Sequence, residues 1–376
     1  PDLIEHAELD GIGGLAGTPD DPSLPLQYGI QNTGQVIDGS PGVPGADVKA
    51  LGAWAFGTGA SDDGLVIAVL DSGAFPHPEL GDKILPGWNV PLGTAETTDV
   101  CASHGTHVSG IAAAIGDNGV GIAGMHWGAK VLPIVVVDPC TGPESYVADG
   151  LILAADAGAD IINMSLQYSA GTEFLHAAVQ YAAESGAILV AASGNSNGGV
   201  AYPAKWPETI AVAATDNQDE RYALSNFGPE IDVAAPGVDV YSLNGSASFS
   251  FKTGTSMATP FVSGTVALLL SSDPSLEAAD VQSILQETAT DVSLPGVDVF
   301  TGHGRIDAGA AVGSIAPEPP AGDLDGNGVV DGADLGLLLG AWGPCADCEL
   351  IPCPEDLTFD CMVDGADLGL LLADWG

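Results

Sequence analysis

Three short segments of the sequence carry side chains that could together hydrolyse a bond with a serine hydroxyl. Asp71 ends the apolar run VIAVLD, His104 begins HGTHVSGIAAA, and Ser256 lies in TGTSMATPFVSG. Such chemistry needs a nucleophile, a base that takes its proton, a carboxylate that orients the base, and donors for the oxyanion. Asn195, in AASGNSNGG, offers a side-chain amide as one of those donors. The order Asp, His, Ser is one of the known orders of a catalytic triad, and the sequence predicts one here.

Each of these signals also has a simpler explanation when it is considered alone. A single Asp after a strand is usually a turn residue, and Gly-Thr-Ser is a common start of a helix. His104 and His107 stand at i and i+3 and could bind a metal, but no HExxH glutamate accompanies them. The joint occurrence of all four groups, each at the end of an expected element, favours catalysis over these alternatives.

The elements that must position these residues alternate between apolar strands and amphipathic helices. Strand-like runs occur at 65–71, 130–138, 159–166, 187–195 and 209–215, and 172–186 has apolar residues at helical spacing. Continuous apolar strands that alternate with helices are typical of a parallel sheet covered on both faces. We therefore predict an α/β fold with a doubly wound parallel sheet. In such folds ligands bind beyond the carboxyl ends of the strands, where Asp71 and Asn195 lie.

The segments around Asp71, His104, Asn195 and Ser256 resemble the signature segments of the subtilisin-like serine proteases (subtilases, peptidase family S8). The likeness extends over residues 21–313. It implies a secreted, monomeric endopeptidase that acts on protein and peptide substrates. It also implies that Ser256 is the nucleophile, His104 the general base and then acid, Asp71 the residue that fixes the His104 tautomer, and Asn195 an oxyanion donor. The Ser256 N–H, at a helix start, would be a second donor.

The resemblance also indicates a substrate-binding edge after the strand at 159–166. Ser165, Leu166 and Gln167 occupy the segment where the family has a small, glycine-containing edge that pairs with the substrate. Gln167 and Tyr168 depart from that pattern, and we expect them to narrow the P1 pocket. Ala201 stands where the pocket floor would be, and a small uncharged floor favours apolar or aromatic P1 side chains.

Calcium is the cofactor that the sequence predicts, and one site lies in the main body of the chain. Glu79 and the loop 114–124 resemble the family's tight calcium site. Its other oxygens would come from Asp117 or Asn118 and from carbonyls near Ile115, Val120 and Ile122. The alternative is a glycine-rich turn without a metal.

The last part of the chain is a duplicated module. A Pro-rich linker at 314–321 precedes it, and the segment 322–343 returns in altered form at 355–376. The first copy has the spacing of an EF-hand loop, with Asp in place of Glu at position 12. Its ligands at positions 1, 3, 5, 7, 9 and 12 would be Asp323, Asp325, Asn327, the carbonyl of Val329, Asp331 and Asp334.

The second copy is less regular. It has Thr358 at position 3 and Cys361 where the turn glycine should be, so we expect a calcium site that is weaker or altered by a disulfide. A calcium loop followed by one helix resembles the repeat of dockerins, which bind cohesin modules. The resemblance implies a small helical calcium-loop domain over 322–376 with a cohesin-like or cell-surface partner, although the 33-residue period and the Cys-rich insert depart from the dockerin pattern. The acidic residues kept in this copy are Asp356, Asp360, Asp364 and Asp367.

The composition sets limits on compartment and partners. With 50 acidic and 7 basic residues the net charge is −43, which excludes a phosphate-binding surface for nucleic acid and predicts a salt-screened acidic surface. No apolar run reaches the roughly 20 residues needed to span a membrane. The six cysteines would pair in a secreted protein, whereas a cytosolic one would more often bind zinc. Because the resemblance places Cys140 beside the cleft and Cys101 shortly before His104, we predict a disulfide between them.

Residues 1–20 resemble the end of an inhibitory propeptide, and 21–35 resemble the start of a mature subtilase. Two rival functions are a catalytically idle subtilase scaffold that displays a docking module, and a purely structural calcium-binding surface protein. The complete set of Asp71, His104, Asn195 and Ser256 argues against both.

Overall fold

A parallel sheet organises the larger of two units, which runs from Thr18 to Ala316. The computed structural model describes residues 18–61, 64–316, 320–325, 329–345 and 353–375. After a short antiparallel pair, β1 (Val36–Ile37) and β2 (Ser40–Pro41), the sheet has seven strands in the described part of the chain. They are β3 (Val66–Asp71), β4 (Trp88–Asn89), β5 (Lys130–Val135), β6 (Ile161–Met164), β7 (Ile188–Ala192), β8 (Thr209–Thr215) and β9 (Val233–Pro236).

All neighbours in this sheet are parallel, in the spatial order β4-β5-β3-β6-β7-β8-β9. The predicted parallel sheet is therefore confirmed, and the five apolar runs found in the sequence form β3, β5, β6, β7 and β8. The short edge strands β4 and β9 were not predicted. A two-residue strand such as β4 is too short to produce a periodic pattern.

Two hydrophobic cores cover the two faces of the sheet. Along β3, Ile67 and Val69 lie in one core and Ala68 and Leu70 in the other, as the alternation of side chains in a strand requires. The first core includes residues of α1 (Ala50–Trp54), α2 (His104–Ala113), α5 (Thr255–Ser272), α6 (Ala278–Glu287) and α7 (Ala308–Ile315). The second includes residues of α3 (Glu144–Asp156) and α4 (Glu173–Glu184), the helix predicted at 172–186.

The helix α5 is central to the first core. Fifteen of its 18 residues are buried, which explains why its sequence is apolar on almost every side. An antiparallel hairpin, β10 (Val240–Asn244) and β11 (Ser248–Lys252), precedes this helix. The hairpin and the helix together bring the chain back to the carboxyl ends of the central strands.

The second unit reproduces the sequence repeat in its structure. It contains α8 (Gly332–Gly340) and α9 (Gly365–Ala373), which are in contact, and a short antiparallel pair, β12 (Gly343–Pro344) and β13 (Met362–Val363). Its fully buried apolar residues are related by the repeat, since Val330 and Leu338 correspond to Val363 and Leu371. The two copies therefore share one small core.

The boundaries of the large unit differ slightly from those expected. The helix α7 continues to Ile315, so the first two residues of the expected linker are helical. Thr18, Pro19 and Asp20 belong to the large unit, although the sequence grouped them with the N-terminal extension. The remainder of that extension, residues 1–17, lies outside the described residues.

Candidate active site

The carboxyl ends of three neighbouring strands bring distant residues to one place. The strands β3, β6 and β7 are adjacent, and Asp71, Ser165 and Asn195 lie at or just after their ends. The helix α2 begins with His104, and Ser256 is the second residue of α5. All five residues line one cleft with a volume of about 370 Å³.

Asp71 and His104 form a tightly held pair. His104 Nδ1 lies 2.8 Å from Asp71 Oδ1 and 2.9 Å from Oδ2, and the Asp71 carboxylate is buried. A carboxylate only accepts, so Nδ1 carries the hydrogen and Nε2 is left as the basic nitrogen. Burial acts to lower the pKa of His104, but the charge and hydrogen bonds of Asp71 outweigh it, and the pKa is raised.

A second buried carboxylate, Asp99, holds the turn that leads to His104. Its Oδ1 accepts hydrogen bonds from Ser72 Oγ and Cys101 N, both at 2.9 Å. Its Oδ2 accepts from Thr106 N at 2.9 Å and from Thr106 Oγ1 at 2.8 Å. Asp99 thus connects the end of β3 with the first turn of α2. Asp99 was not predicted from the sequence, because a single Asp in a polar turn gives no sign of burial.

Ala102 and Ser103, directly before His104, have the left-handed φ values 46° and 62°. Such values are unfavourable for residues other than glycine, and three contacts hold the segment. Cys101 forms the predicted disulfide with Cys140. Lys252 Nζ donates to Ala102 O at 2.8 Å, and Gly245 N donates to Ser103 Oγ at 2.9 Å.

Ser256 is held by the edge strand as well as by its own helix. Pro260 has no N–H, so it cannot make the helical hydrogen bond to the carbonyl four residues earlier, which belongs to Ser256. Ser165 Oγ donates to that carbonyl instead, at 2.8 Å. The Ser256 hydroxyl in turn donates to Ser165 O at 3.2 Å. Ser165 therefore contacts the nucleophile candidate with both its side chain and its backbone.

The amide of Asn195 has a defined orientation. Thr255 N and Thr255 Oγ1 lie 2.8 and 3.2 Å from Asn195 Oδ1. A backbone N–H can only donate, so it must face the oxygen of the amide, and Asn195 Nδ2 is left as a donor. On the other side, Asn195 N donates to Gln167 Oε1 at 2.8 Å. Contacts from Thr255 and Gln167 thus fix both the side chain and the backbone of Asn195.

The walls of the cleft include three of the four expected substrate-binding residues. Ser165, Leu166 and Gln167 line it, whereas Ala201 does not appear in its lining and Ala192 does. Val137, Cys140, Thr141 and Gly142 form an opposite edge. Tyr168 Oη donates to Gly142 O at 2.8 Å and so connects the two edges.

His107 is not placed to bind a metal together with His104. Its Nε2 lies 3.1 Å from both Val240 O and Ser250 O, and because carbonyls only accept, Nε2 carries the hydrogen. Burial lowers the pKa of His107 to about 3, which keeps the ring neutral. His107 therefore connects α2 to the β10–β11 hairpin.

The loop 114–124 and Glu79 offer oxygens of the kind that calcium takes. Glu79 Oε1 and Asp21 Oδ1 are buried and have no hydrogen-bond partner among the described residues. Burial raises the pKa of Glu79 to about 7, and the charge of Asp21 adds to the rise. Asn118 Oδ1 accepts from Val120 N at 2.8 Å, and Asp117 Oδ1 accepts from Asp20 N at 3.1 Å. Buried carboxylate oxygens that have no hydrogen-bond partner among the described residues are ligands of the kind that a divalent cation takes. Asp21 was not predicted from the sequence.

In the tail unit, the first acidic loop gathers its carboxylates. Asp323, Asp325 and Asp334 each place an oxygen within 4.8 Å of the others. Asp334 is buried and accepts hydrogen bonds from Asp331 N, Leu324 N and Asp325 N, the first of which contributes most to a lowered pKa. Asp331 Oδ1 accepts from Ala333 N and caps α8. Val329 is half exposed, and Asn327 lies outside the described residues.

The second loop uses its carboxylates mainly on its own backbone. Asp356 accepts from Asp360 N and Cys361 N, and Asp367 accepts from Thr358 N and Asp364 N. Asp364 Oδ1 accepts from Ala366 N and caps α9, as Asp331 caps α8. Cys361 has φ 69° at the position where glycine was expected. In the described part of this loop no three acidic side chains gather as they do in the first.

The described residues contain no helix of the length and apolar character that a membrane span requires.

Residues 62–304 match the family model for the subtilase family, peptidase S8. The chain is 37% identical to thermitase of Thermoactinomyces vulgaris over 299 residues, which is 78% of this chain and 99% of thermitase. It is 36% identical to a thermophilic serine proteinase of a Bacillus species over 314 residues, 82% of this chain and 73% of that protein.

Two further relatives extend the comparison. The halolysin-like extracellular serine protease of Natrialba magadii is 34% identical over 331 residues, 86% of this chain and 57% of that protein. A solved protease from Pseudoalteromonas arctica superposes with a TM-score of 0.71 at 31% identity, covering 80% of this chain and all of that one. The fold and the family match agree, and the chain belongs to the subtilase family and is a serine endopeptidase.

Proposed function

We propose that this endopeptidase cleaves peptide bonds with Ser256 as nucleophile, His104 as general base and acid, and Asp71 as the residue that orients His104. The observation that carries this assignment is the buried Asp71–His104 pair, with contacts of 2.8 and 2.9 Å, in the cleft that Ser256 also lines. With Nδ1 bound to Asp71, His104 keeps Nε2 available for the proton of Ser256.

The reaction begins when the Ser256 hydroxyl turns from its acceptor, Ser165 O, to His104 Nε2 and attacks the substrate carbonyl. His104 takes the hydroxyl proton, and a tetrahedral oxyanion forms. Asn195 Nδ2 donates to that oxyanion. The Ser256 N–H also donates to it, because it is one of the first four N–H groups of its helix and has no carbonyl one turn earlier to bond. His104 then gives its proton to the leaving amine. In the second half of the reaction, His104 takes a proton from the water that attacks the acyl-enzyme, and it returns a proton to Ser256 as the acid product leaves.

The substrate lies in the cleft, on our proposal, along the edge formed by Ser165, Leu166 and Gln167. These residues follow β6, and a peptide in extended form can pair with their backbone in the manner of an added strand. Ala192 and Gly194 line the cleft at the end of β7. They supply the small, uncharged surface that the sequence had assigned to Ala201.

The experiment that tests the assignment uses labelling and hydrolysis together. A fluorophosphonate probe should label the wild type at Ser256, and Ser256→Ala should neither react with the probe nor digest casein. Asn195→Ala should still be labelled but should have a kcat lower by about 10²–10³, the range known for removal of such a donor in subtilisin. Ser275→Ala, an exposed serine outside the cleft, is the control. Wild-type casein hydrolysis by Ser256→Ala would refute the triad.

We further propose that calcium binds between Asp21 and Glu79 in the large unit and within the first tail loop. The two partnerless oxygens support the first site, and the clustered Asp323, Asp325 and Asp334 support the second. When bound, the ion neutralises these carboxylates. Asp117 and Asn118 hold the loop around the first site in shape.

The tail unit is, on this proposal, a calcium-dependent docking module of a secreted, monomeric enzyme. Its exposed apolar residues are duplicated by the repeat, in the pairs Leu337 and Leu370, Leu339 and Leu372, and Trp342 and Trp375. Paired exposed side chains of this size favour a protein partner, and a cohesin-like module is the class we propose. Disulfides at Cys101–Cys140 and Cys345–Cys353 agree with an oxidising compartment.

A further inference from the structure

One basic side chain beside the proposed triad has no carboxylate partner among the residues that the structure describes. Lys252 ends β11, four residues before Ser256, and its Nζ donates to Ala102 O at 2.8 Å. Among the described residues this ammonium group forms no ion pair. An ammonium group has three hydrogens, so at least one remains for a ligand.

Three other cations pair with a carboxylate, whereas Lys83 and Arg221 bond only to carbonyl oxygens among the described residues. Lys49 pairs with Asp47, Lys205 with Glu230, and Arg305 with Asp219. Lys83 is buried and donates to two backbone carbonyls, those of Ala113 and Trp127. In a chain with a net charge of −43, carboxylates are abundant. Lys252 is half-buried at the edge of the cleft and pairs with none of the described carboxylates. It is therefore available to bind a negative charge on another molecule.

The position of Lys252 indicates which side of the scissile bond it faces. The acyl side of the substrate is bounded by Ser165–Tyr168 and Gly142, which line the cleft together, and Lys252 is absent from that lining. Lys252 instead contacts Ala102, two residues before His104, and His104 gives its proton to the leaving amine. The positive charge also reaches His104, where it opposes, together with burial, the rise in pKa that Asp71 causes.

We propose that Lys252 binds a substrate carboxylate, namely an Asp or Glu side chain at the first or second residue on the leaving-group side. The inference rests on the proposed triad, because His104 defines that side. Lys252 would thus create a local preference for acidic substrates on a protein whose total charge repels them. An exposed ion pair of this kind changes kcat/KM by about two- to fivefold.

The test uses internally quenched peptides that are identical except for Glu, Gln or Lys at one of the two leaving-side positions. The wild type should cleave the Glu peptide about two- to fivefold better than the Gln peptide at low salt, and 1 M NaCl should reduce the difference. Lys252→Gln should remove the preference, Lys252→Glu should favour the Lys peptide, and Lys252→Arg should keep the preference for Glu. Lys49→Gln, which removes the same charge elsewhere, should behave as the wild type.

The Gln peptides separate this inference from the proposed function. If the wild type cleaves them, and Lys252→Gln shows the same Glu-to-Gln ratio as the wild type, the inference is wrong while the triad stands. A purely structural role, in which Lys252 only supports Ala102, would lower kcat/KM equally for all three peptides. That result also overturns the inference. The inference is confirmed if Lys252→Gln removes the preference for the Glu peptide, Lys252→Glu shifts it to the Lys peptide, and Lys252→Arg keeps it.

Discussion

At the scale of single residues, the contacts of His104, the proposed general base, should determine how activity depends on pH. Burial lowers the pKa of His104, and the Asp71 contacts raise it by more. His104 therefore stays protonated at pH values above about 6.5, the ordinary pKa of a histidine. The general base must be neutral, so kcat/KM of the wild type should fall on acidification through a midpoint above that value.

Asp71→Asn removes the main interactions that raise the pKa of His104, so that burial, the largest influence, outweighs the smaller effect of the Asp99 charge. The midpoint should therefore move below about 6.5, and kcat should fall by about four orders of magnitude, as in other Ser-His-Asp triads. Titration of the His104 ring by NMR in a Ser256→Ala background gives the pKa directly. Asp273→Asn, a partly exposed carboxylate that does not line the cleft, is the control. A higher His104 pKa in Asp71→Asn would contradict the electrostatic account.

Gln167 should determine the size of the P1 side chain that the cleft accepts. Its carboxamide oxygen lies so close to Gly194 that a Cβ at that position would overlap it, and it accepts from Asn195 N at 2.8 Å. Gln167→Gly should raise kcat/KM for Phe at P1 relative to Ala by about tenfold, because it empties this space. Tyr168→Phe, which removes only the hydroxyl bonded to Gly142 O, should leave the ratio unchanged. An unaltered Phe-to-Ala ratio in Gln167→Gly would show that the side chain moves away when substrate binds.

At the scale of elements, the disulfide between Cys101 and Cys140 joins the turn before α2 to the loop after β5. Its two cysteines are 39 residues apart in sequence. In the chain-entropy model, a loop of this length contributes about 4 kcal/mol to the free energy of unfolding. Replacing both by Ser, in the inactive Ser256→Ala background to prevent autolysis, should lower the unfolding free energy of the large unit by about that amount in urea titrations.

The tail disulfide provides the matched control for this prediction. Replacing Cys345 and Cys353, which are eight residues apart in the other unit, should leave unfolding of the large unit unchanged. Free thiols at Cys101 and Cys140 in a non-reduced digest would rule the bridge out.

The tail helices should depend on calcium. In the described part of the tail, the core shared by the two copies has four fully buried apolar residues, which is too little to fold about 55 residues without help. Hydrogen exchange of the full-length Ser256→Ala protein should therefore show faster exchange of α8 and α9 in EDTA than in millimolar calcium. The strands β6 to β8 should stay protected.

Asp325→Ala should require more calcium to protect α8 than the parent protein does, because it removes one of the three clustered carboxylates. Thr358→Ala, at the corresponding position of the second loop, should have a smaller effect. Equal protection of α8 and α9 with and without calcium would mean that the acidic loops fold without metal.

Sequence reasoning succeeded for the elements with long apolar patterns and failed for isolated polar residues. Asp71 and Asn195 could be placed because β3 and β7 are continuous runs of buried apolar residues, and their ends are clear in the sequence. Asp21 and Asp99 could not, because an Asp in a turn is usually exposed. Their burial depends on contacts with residues far away in sequence, such as Asp117 for Asp21. That Ala192 lines the cleft and Ala201 does not could not be predicted for a similar reason, since the lining of a cleft is formed by tertiary contacts that strand spacing does not determine.

At the scale of the whole molecule, the net charge of −43 should make stability depend strongly on salt. Like charges repel most in the folded state, where they are closest, and the screening length falls from about 30 Å at 0.01 M to about 3 Å at 1 M. The melting temperature of Ser256→Ala should therefore rise between low salt and 1 M NaCl. Sucrose of equal osmolality is the control for effects that do not depend on ions. A melting temperature that is constant or falls with NaCl would show that the acidic surface does not limit stability.

The link between Ser165 and Ser256 has a consequence for the length of substrate that the enzyme uses well. Because Pro260 cannot bond to the Ser256 carbonyl, Ser256, the proposed nucleophile, is held to the edge strand through the Ser165 hydroxyl. A peptide long enough to pair with that strand would steady the segment that holds the nucleophile, whereas a short peptide would not. Substrate residues remote from the scissile bond would then raise turnover more than affinity, because their binding energy is used to position Ser256. Short chromogenic substrates would accordingly understate how fast this enzyme cuts an extended chain.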